Sequence, residues 1–127
     1  MLTVTVNATI HAPLDRVFAY VTTAKHWPDW HPASLAVRGD IEQPMQSGNH
    51  IVERACINGT VGEGTWTVVE HVPLKKVVLT LSGTPLGNLR IAYGFEEDRR
   101  EVRFTRSLIM DLTTVAKNFT DQSLEEQ

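Results

Sequence analysis

The chain has little of what marks several classes of protein. It holds one cysteine, Cys56, among 127 residues, which excludes an internal disulfide, so we expect a reducing compartment, the cytoplasm. Its longest basic runs are pairs and its net charge is -3 at pH 7, which argues against a nucleic-acid surface. It has no long apolar run, and the opening stretch MLTVTVNATI resembles neither a signal peptide nor a membrane span.

Catalytic and cofactor signatures are missing as well. The sequence contains no nucleophile elbow, no spaced set of metal ligands and no glycine-rich nucleotide fingerprint. We therefore expect no cofactor and no metal, and we assign no catalytic residue. The length suits one domain over residues 1–127 with one core.

The first third of the chain predicts a strand followed by two short helices. Apolar residues alternate with polar ones from Leu2 to Ile10, which is typical of a strand. Pro13 suits the first position of a helix, and an apolar stripe at helical spacing follows it: Leu14, Val17, Phe18 and Val21. Thr23 is expected to cap a second, very short helix, which Pro28 disturbs and Pro32 ends.

After Pro32 the pattern predicts six antiparallel strands and a closing helix. Asn58-Gly59 separates two strand-like segments and is a strong hairpin signal, while the glycines around Glu63 suggest a bulge or bend. The closing helix is predicted from helical spacing, with Asp111 or Thr113 as its cap. Its apolar positions are Leu112, Val115, Ala116 and Phe119.

Three motifs carry a resemblance to a known family. They are I-x-A-P-x-x-x-V-F from Ile10, W-x-x-W-x-P from Trp27, and TWTVVEHVP from Thr65. With this element order, the chain resembles the START-like superfamily, also called the Bet v 1-like or polyketide cyclase/dehydrase group, over essentially its whole length. The resemblance implies an α+β helix-grip fold: a curved seven-stranded antiparallel sheet, two short helices after strand 1, and a C-terminal helix over a hydrophobic cavity.

The resemblance also sets functional expectations. Members of the family bind lipids, sterols, polyketides or plant hormones, and some catalyse cyclisation or dehydration. We expect a hydrophobic small-molecule ligand, no nucleic acid, no membrane span, and a monomer or homodimer. The family's closing helix is usually long, whereas Thr113 to Gln127 would extend only about 22 Å as a helix. The roof of the cavity is then short, or the chain ends early, or a partner completes it.

The stretch HWPDWHP, residues 26 to 32, allows three interpretations. In the favoured one Trp30 anchors the turn against the sheet, and His26 and Asp29 face water. In the second, Trp27 or His31 contacts a ligand, because this segment lies near the cavity mouth in the family.

The third interpretation is a zinc site made by His26, Asp29 and His31. Such a site needs rigid ligand spacing, as on a helix, and Pro28 interrupts any helix here. We therefore expect no metal to be bound.

The concave face of the sheet should line the cavity. Alternation places Arg106 on the same face as Phe104 and Leu108 in the last strand. Arg106 is interpreted as an anchor for a carboxylate, enol or phenolate, or else as half of a structural ion pair, for example with Glu70, or as turned outward by a bulge.

Two other strands, residues 49–57 and 60–72, carry apolar and polar or charged residues on both faces. Trp66 and Val68 are expected to face inward because they would bury more apolar surface, while the inward face of residues 49–57 stays open. The predicted ligand-binding residues are His31, Trp66, Tyr93, Phe104, Arg106 and Phe119.

Three functions remain possible on the sequence alone. The first is binding or transport of a hydrophobic small molecule of lipid, polyketide or aromatic type. The second is a polyketide cyclase or dehydratase that uses proton-shuttling residues in the cavity. The third is a protein-interaction domain of the Hsp90-activator type. A pocket with one anchoring arginine favours the first, and converging titratable groups favour the second.

Overall fold

The computed structural model describes residues 2–57, 59–84 and 87–110. Two helices, α1 (Leu14–Thr22) and α2 (Trp27–Trp30), follow the first strand, with a 3-10 turn at Ala24–His26 between them. The strands are β1 (Leu2–Ile10), β2 (Ser34–Gly39), β3 (His50–Ile57), β4 (Thr60–Val72), β5 (Lys76–Thr84), β6 (Gly87–Asp98) and β7 (Glu101–Met110).

The seven strands form one curved antiparallel sheet. Their order is β1-β7-β6-β5-β4-β3-β2, so the first and last strands are neighbours and every other pair is consecutive in sequence. This confirms the predicted sheet and the two short helices of the helix-grip fold. The predicted C-terminal helix, with Phe119 and the proposed caps, lies outside the described residues.

Helix α1 forms where the apolar stripe predicts it. Pro13 immediately precedes the helix and its carbonyl accepts the backbone N–H groups of Arg16 and Val17, so the proline lies one position earlier than predicted. Val17, Phe18 and Val21 are buried against the sheet. This face fixes the helix on one end of the sheet.

Helix α2 differs from its prediction in two respects. Thr23 does not cap it, because the Thr23 hydroxyl donates to the Ala19 carbonyl at 2.6 Å and closes the end of α1 instead. Pro28 does not disturb the helix either, since it occupies the first turn, where no N–H is needed. In the part of the chain that the structure describes, no helix has the length and apolar character needed to cross a membrane.

The hairpin prediction for Gly59 is confirmed, and one of the two alternatives for the glycines around Glu63, the bulge, is excluded. Gly59 has φ +81° between β3 and β4, as a two-residue hairpin loop requires. The glycines around Glu63 form no bulge, because β3 and β4 stay in continuous register there. Gly64 is small for another reason: a Cβ atom at this position would lie 2.8 Å from a methyl group of Leu81.

The core lies between the sheet and the helices. Trp27, Met45, Ile51, Trp66 and Tyr93 are among its buried members. Trp30, by contrast, is only partly buried and packs against the edge of this cluster. The core therefore covers the concave face from β3 to β7, whereas Val4 and Val6 of β1 are exposed.

Candidate functional site

The strand register places Arg106 on the face that the helices cover. Arg106 pairs directly with Val6 of β1 and Tyr93 of β6, and Phe104 pairs with Ala8 and Phe95. Paired residues in antiparallel strands point to the same side of the sheet. Both registers of β7 are continuous, so no bulge turns Arg106 outward, and its predicted inward orientation is confirmed.

A bulge does occur in β4, and it changes the expected partner of Glu70. Val68 pairs with Leu79 and Glu70 with Val78, which leaves Val69 as an extra residue. Trp66 and Val68 are buried as predicted. Beyond the bulge His71 takes the inward face, where its ring lies 5.7 Å from that of Phe18. Glu70 forms an ion pair with Lys76 at 3.3 Å. The suggested pairing of Glu70 with Arg106 is therefore wrong.

A pocket of about 530 Å³ lies where β1 and β7 meet the two helices. Its apolar wall comes from Val6, Ala8, Ile10, Val21, Trp30 and Phe104. His31 and Arg106 supply the charged or titratable part of the wall, together with Tyr20. Val6 is 58% exposed, so the pocket opens along the β1 edge of the described residues.

A larger groove, of about 1160 Å³, lies elsewhere on the surface. It is bordered by the turn around Pro73 and by the charged end of β6, Glu96 to Asp98. The wall of this groove is much more polar than that of the pocket of about 530 Å³, so the groove is the poorer site for an apolar molecule.

Arg106 and His31 meet in the wall of the smaller pocket. The Arg106 guanidinium donates from Nη2 to Nε2 of His31 at 2.9 Å. Because arginine can only donate, this Nε2 must be the unprotonated nitrogen, and the ring proton lies on Nδ1. Burial lowers the pKa of His31, and the Arg106 charge lowers that pKa further, so the neutral ring is favoured.

Aromatic rings surround this pair. Trp30 meets Phe104 edge-on, with ring centroids 6.0 Å apart, and lies 6.2 Å from the Tyr93 ring. Trp30 thus packs against the sheet as predicted, although the deeply buried tryptophan of the segment is Trp27, at 3% exposure. Burial raises the pKa of the Tyr93 phenol, and the nearby Arg106 guanidinium only partly offsets that rise.

Glu53 is the carboxylate whose charge acts on the pKa values of His31 and Tyr93. Its Oε1 accepts the indole N–H of Trp66 at 3.1 Å. Its charge opposes the lowering of the His31 pKa and adds to the raising of the Tyr93 pKa. The inward face of β3 is therefore the face with Ile51, Glu53 and Ala55, which the sequence left open.

Only one histidine of HWPDWHP approaches Asp29. The Nδ1 atom of His26 lies 3.8 Å from Oδ2 of Asp29, and the His26 ring stacks on Tyr20 at 4.4 Å, so His26 does not simply face water. His31 turns to Arg106 instead. Among residues 2–57, 59–84 and 87–110, no three His, Cys, Asp or Glu side chains come together as metal ligands would.

The structure brings some of the predicted ligand-binding residues together. His31, Phe104 and Arg106 line the pocket of about 530 Å³. Tyr93 and Trp66 lie deeper in the core, at 1% and 5% exposure. Phe119 lies outside the described residues.

The sequence prediction missed other parts of the pocket. Val6, Ala8 and Ile10 were assigned to an apolar face of β1, but nothing local indicated that β1 pairs with the last strand and so reaches Arg106. Glu53 was missed because both faces of β3 carry apolar and charged residues.

Comparisons with known proteins agree with this architecture. A family model described as "Polyketide cyclase / dehydrase and lipid transport" matches residues 1–126. A comparison with curated protein sequences gives no match.

Solved structures show the same fold at low sequence identity. The di-domain ARO/CYC BexL of the BE-7585A biosynthetic pathway is 16% identical, with a TM-score of 0.70 over 99% of this chain and 42% of its own. The chain therefore spans less than half of that protein. A START superfamily protein from Mycobacterium smegmatis is 11% identical, with a TM-score of 0.69 over 98% and 99% of the two chains. The major latex-like protein 151 from Panax ginseng is 12% identical, with a TM-score of 0.67 over 93% and 89%.

Proposed function

Since this chain belongs to the polyketide cyclase/dehydrase and lipid transport family, we propose that it binds a hydrophobic small molecule of lipid, polyketide or aromatic type. The site is the pocket between β1, β7 and the helices. The observation that carries the proposal is the pocket itself: about 530 Å³, with a wall that is apolar except for a few polar groups. Small-molecule sites typically have this size and this mixture.

The residues of the proposed site have distinct roles. Phe104 and Trp30 supply apolar contact, while Arg106 and His31 orient the ligand through hydrogen bonds. Tyr93 and Trp66 support this wall from behind, and Phe119 of the predicted closing helix would add to the cavity.

A pocket-filling variant tests the proposal. Ala8 lines the pocket and is paired with Phe104 of the adjacent strand, so the larger side chain of Ala8→Phe should occupy the space that the ligand needs. Thr9→Phe is the matched control, because Thr9 is the next residue of β1 and points to the other face, opposite Arg103.

Native mass spectrometry of the freshly purified proteins gives the readout. We expect a co-purifying hydrophobic molecule on the wild type and on Thr9→Phe, and its loss from Ala8→Phe. A molecule retained equally by Ala8→Phe would place the ligand elsewhere. If all three proteins are ligand-free and also fail to bind added decanoic acid, the proposal is wrong.

A cyclase or dehydratase is the second candidate, because His31, Arg106 and Tyr93 converge beside the pocket. The geometry provides hydrogen-bond donors more readily than general bases, however. The lone pair of His31 Nε2 is already occupied by Arg106, and burial keeps the Tyr93 phenol protonated. Glu53 is the available carboxylate base, and Trp66 holds one of its oxygens.

The two candidates differ in what happens to the bound molecule. The co-purified ligand is released, and separately the protein is incubated with larger acyclic analogues of it. A dehydratase would return a product lighter by the mass of water, and a cyclase would return an isomer of the same mass with a different chromatographic retention time. A binding protein would return every analogue unchanged.

A further inference from the structure

Three hydrogen-bond donors in and beside the pocket wall lack a partner among the described residues. They are Nε1 of Trp30, Nδ1 of His31 and Nε of Arg106, and all three atoms are buried. Their residues line one pocket. Buried donors are normally paired, so an unpaired group calls for an explanation. A cluster of three in one pocket wall indicates that something else supplies the acceptor.

The tautomer of His31 means that all three groups of the cluster are hydrogen-bond donors. Because Nε2 accepts from Arg106 at 2.9 Å, the remaining nitrogen of the ring carries the proton and can only donate. The lowered pKa of His31 agrees with this neutral donor form. The indole and the guanidinium are donors in any state. This part of the wall therefore contains only hydrogen-bond donors, so a complementary ligand must supply oxygen acceptors.

The charge of Arg106 lacks a close counterion in the described part of the chain. No ion pair joins it to a carboxylate there, since Glu70 pairs with Lys76, and Glu53 is hydrogen-bonded to Trp66. Its hydrogen-bond partners there, the His31 ring and the Tyr93 phenol, are both neutral. A partly buried cation of this kind attracts an anion.

We infer that the ligand of this pocket is an acid, with an apolar body against Phe104 and Val21 and an anionic oxygen group, such as a carboxylate, facing Arg106, His31 and Trp30. The inference rests on the proposed function and narrows it to one chemical class. Neutral lipids and hydrocarbons would leave the three donors unpaired.

A matched pair of probes tests the charge. Naphthoic acid and naphthamide have nearly the same shape, but only the acid is anionic at neutral pH. Isothermal titration calorimetry is carried out with each probe on the wild type, on Arg106→Met, and on Arg103→Met as the control. Arg103 lies on the same strand, but it is exposed and points to the opposite face.

The acid should bind the wild type and Arg103→Met at least tenfold more tightly than the amide. In Arg106→Met the acid should lose about ten- to a hundredfold in affinity, as expected when a charge-assisted hydrogen bond is removed. The amide should bind that variant as well as before, or better.

Other outcomes separate the two proposals. If acid and amide bind the wild type equally, the ligand class is wrong and the binding function stands. If neither probe binds, and decanoic acid and decanol also fail, the binding function is wrong. Should Arg106→Met not fold, Trp30→Phe removes one donor and keeps an aromatic ring. A severalfold loss for the acid alone supports the inference, and equal changes for both probes contradict it.

Discussion

His31 shows how one hydrogen bond sets the chemistry of a residue. Its sequence context, two tryptophans and two prolines, suggests a structural turn as readily as a binding site. The bond from Arg106 at 2.9 Å fixes its tautomer, and burial disfavours its charged form. Neither effect is visible in the sequence, because the two residues are 75 positions apart.

The lowered pKa of His31 predicts a pH-dependent stability. The folded pKa lies below the ordinary value of 6.5, so below that pH the unfolded chain binds more protons than the folded one. The free energy of unfolding should therefore fall as the pH drops through this range. The charged and titratable groups that act on His31 or lie near it are Arg106, Glu53 and Tyr93, and burial raises the pKa of the Tyr93 phenol far above this range.

His31→Gln tests this contribution while keeping an acceptor for Arg106. Urea unfolding is measured from about pH 8 to about pH 5, the range in which a histidine changes charge. We expect the wild type to lose more stability than the variant as the pH falls. Parallel curves for the two proteins would show that His31 does not titrate as described.

The two tryptophans beside Pro28 should differ in their stability cost. Trp27 is 3% exposed in the core, whereas Trp30 is partly buried at the pocket wall. Trp27→Ala should reduce the free energy of unfolding by about 3–5 kcal/mol, the range for a large buried aromatic residue. Trp30→Ala should cost clearly less. Equal costs in thermal or urea unfolding would contradict this assignment.

At the scale of elements, features that depend on local sequence patterns were predicted better than features that depend on long-range contacts. The strand alternation, the stripe of α1 and the Asn58-Gly59 hairpin follow from backbone geometry, and each forms where expected. The bulge at Val69 and the inward side of Glu53 depend on neighbouring strands. A single strand's sequence does not carry that information when both of its faces mix apolar and charged residues.

Two glycines of the sheet, Gly39 and Gly62, should respond very differently to substitution. Gly39 ends β2 with φ +102°, and a Cβ atom there would lie 2.6 Å from the His50 carbonyl oxygen. Gly62 in β4 has no atom within 4 Å of such a Cβ. Gly39→Ala should cost about 2 kcal/mol or more, from strain and the backbone clash.

Gly62→Ala is the control for this prediction and should change the free energy of unfolding by less than about 1 kcal/mol. Chemical denaturation of both variants provides the comparison. If Gly39→Ala were as stable as Gly62→Ala, the turn that ends β2 would not have the described conformation.

At the scale of the whole molecule, the pairing of the first and last strands creates the pocket. This pairing brings Val6 and Ala8 beside Phe104 and Arg106, and the helices that follow β1 close the space above them. The family resemblance predicted the fold and a cavity under the closing helix, and that helix lies outside the described residues. The contact between β1 and β7, which forms the pocket, is seen only in the strand order of the structure.

A methyl-detected NMR titration with decanoic acid tests the binding site most directly. We predict that the methyl signals of Val6, Ala8, Ile10 and Val21 shift in a saturable way, because these residues line the pocket of about 530 Å³. The methyl signals of Leu14 and Leu74, in the larger polar groove, should stay in place. Shifts confined to that groove, or no saturable shift at all, would contradict the account.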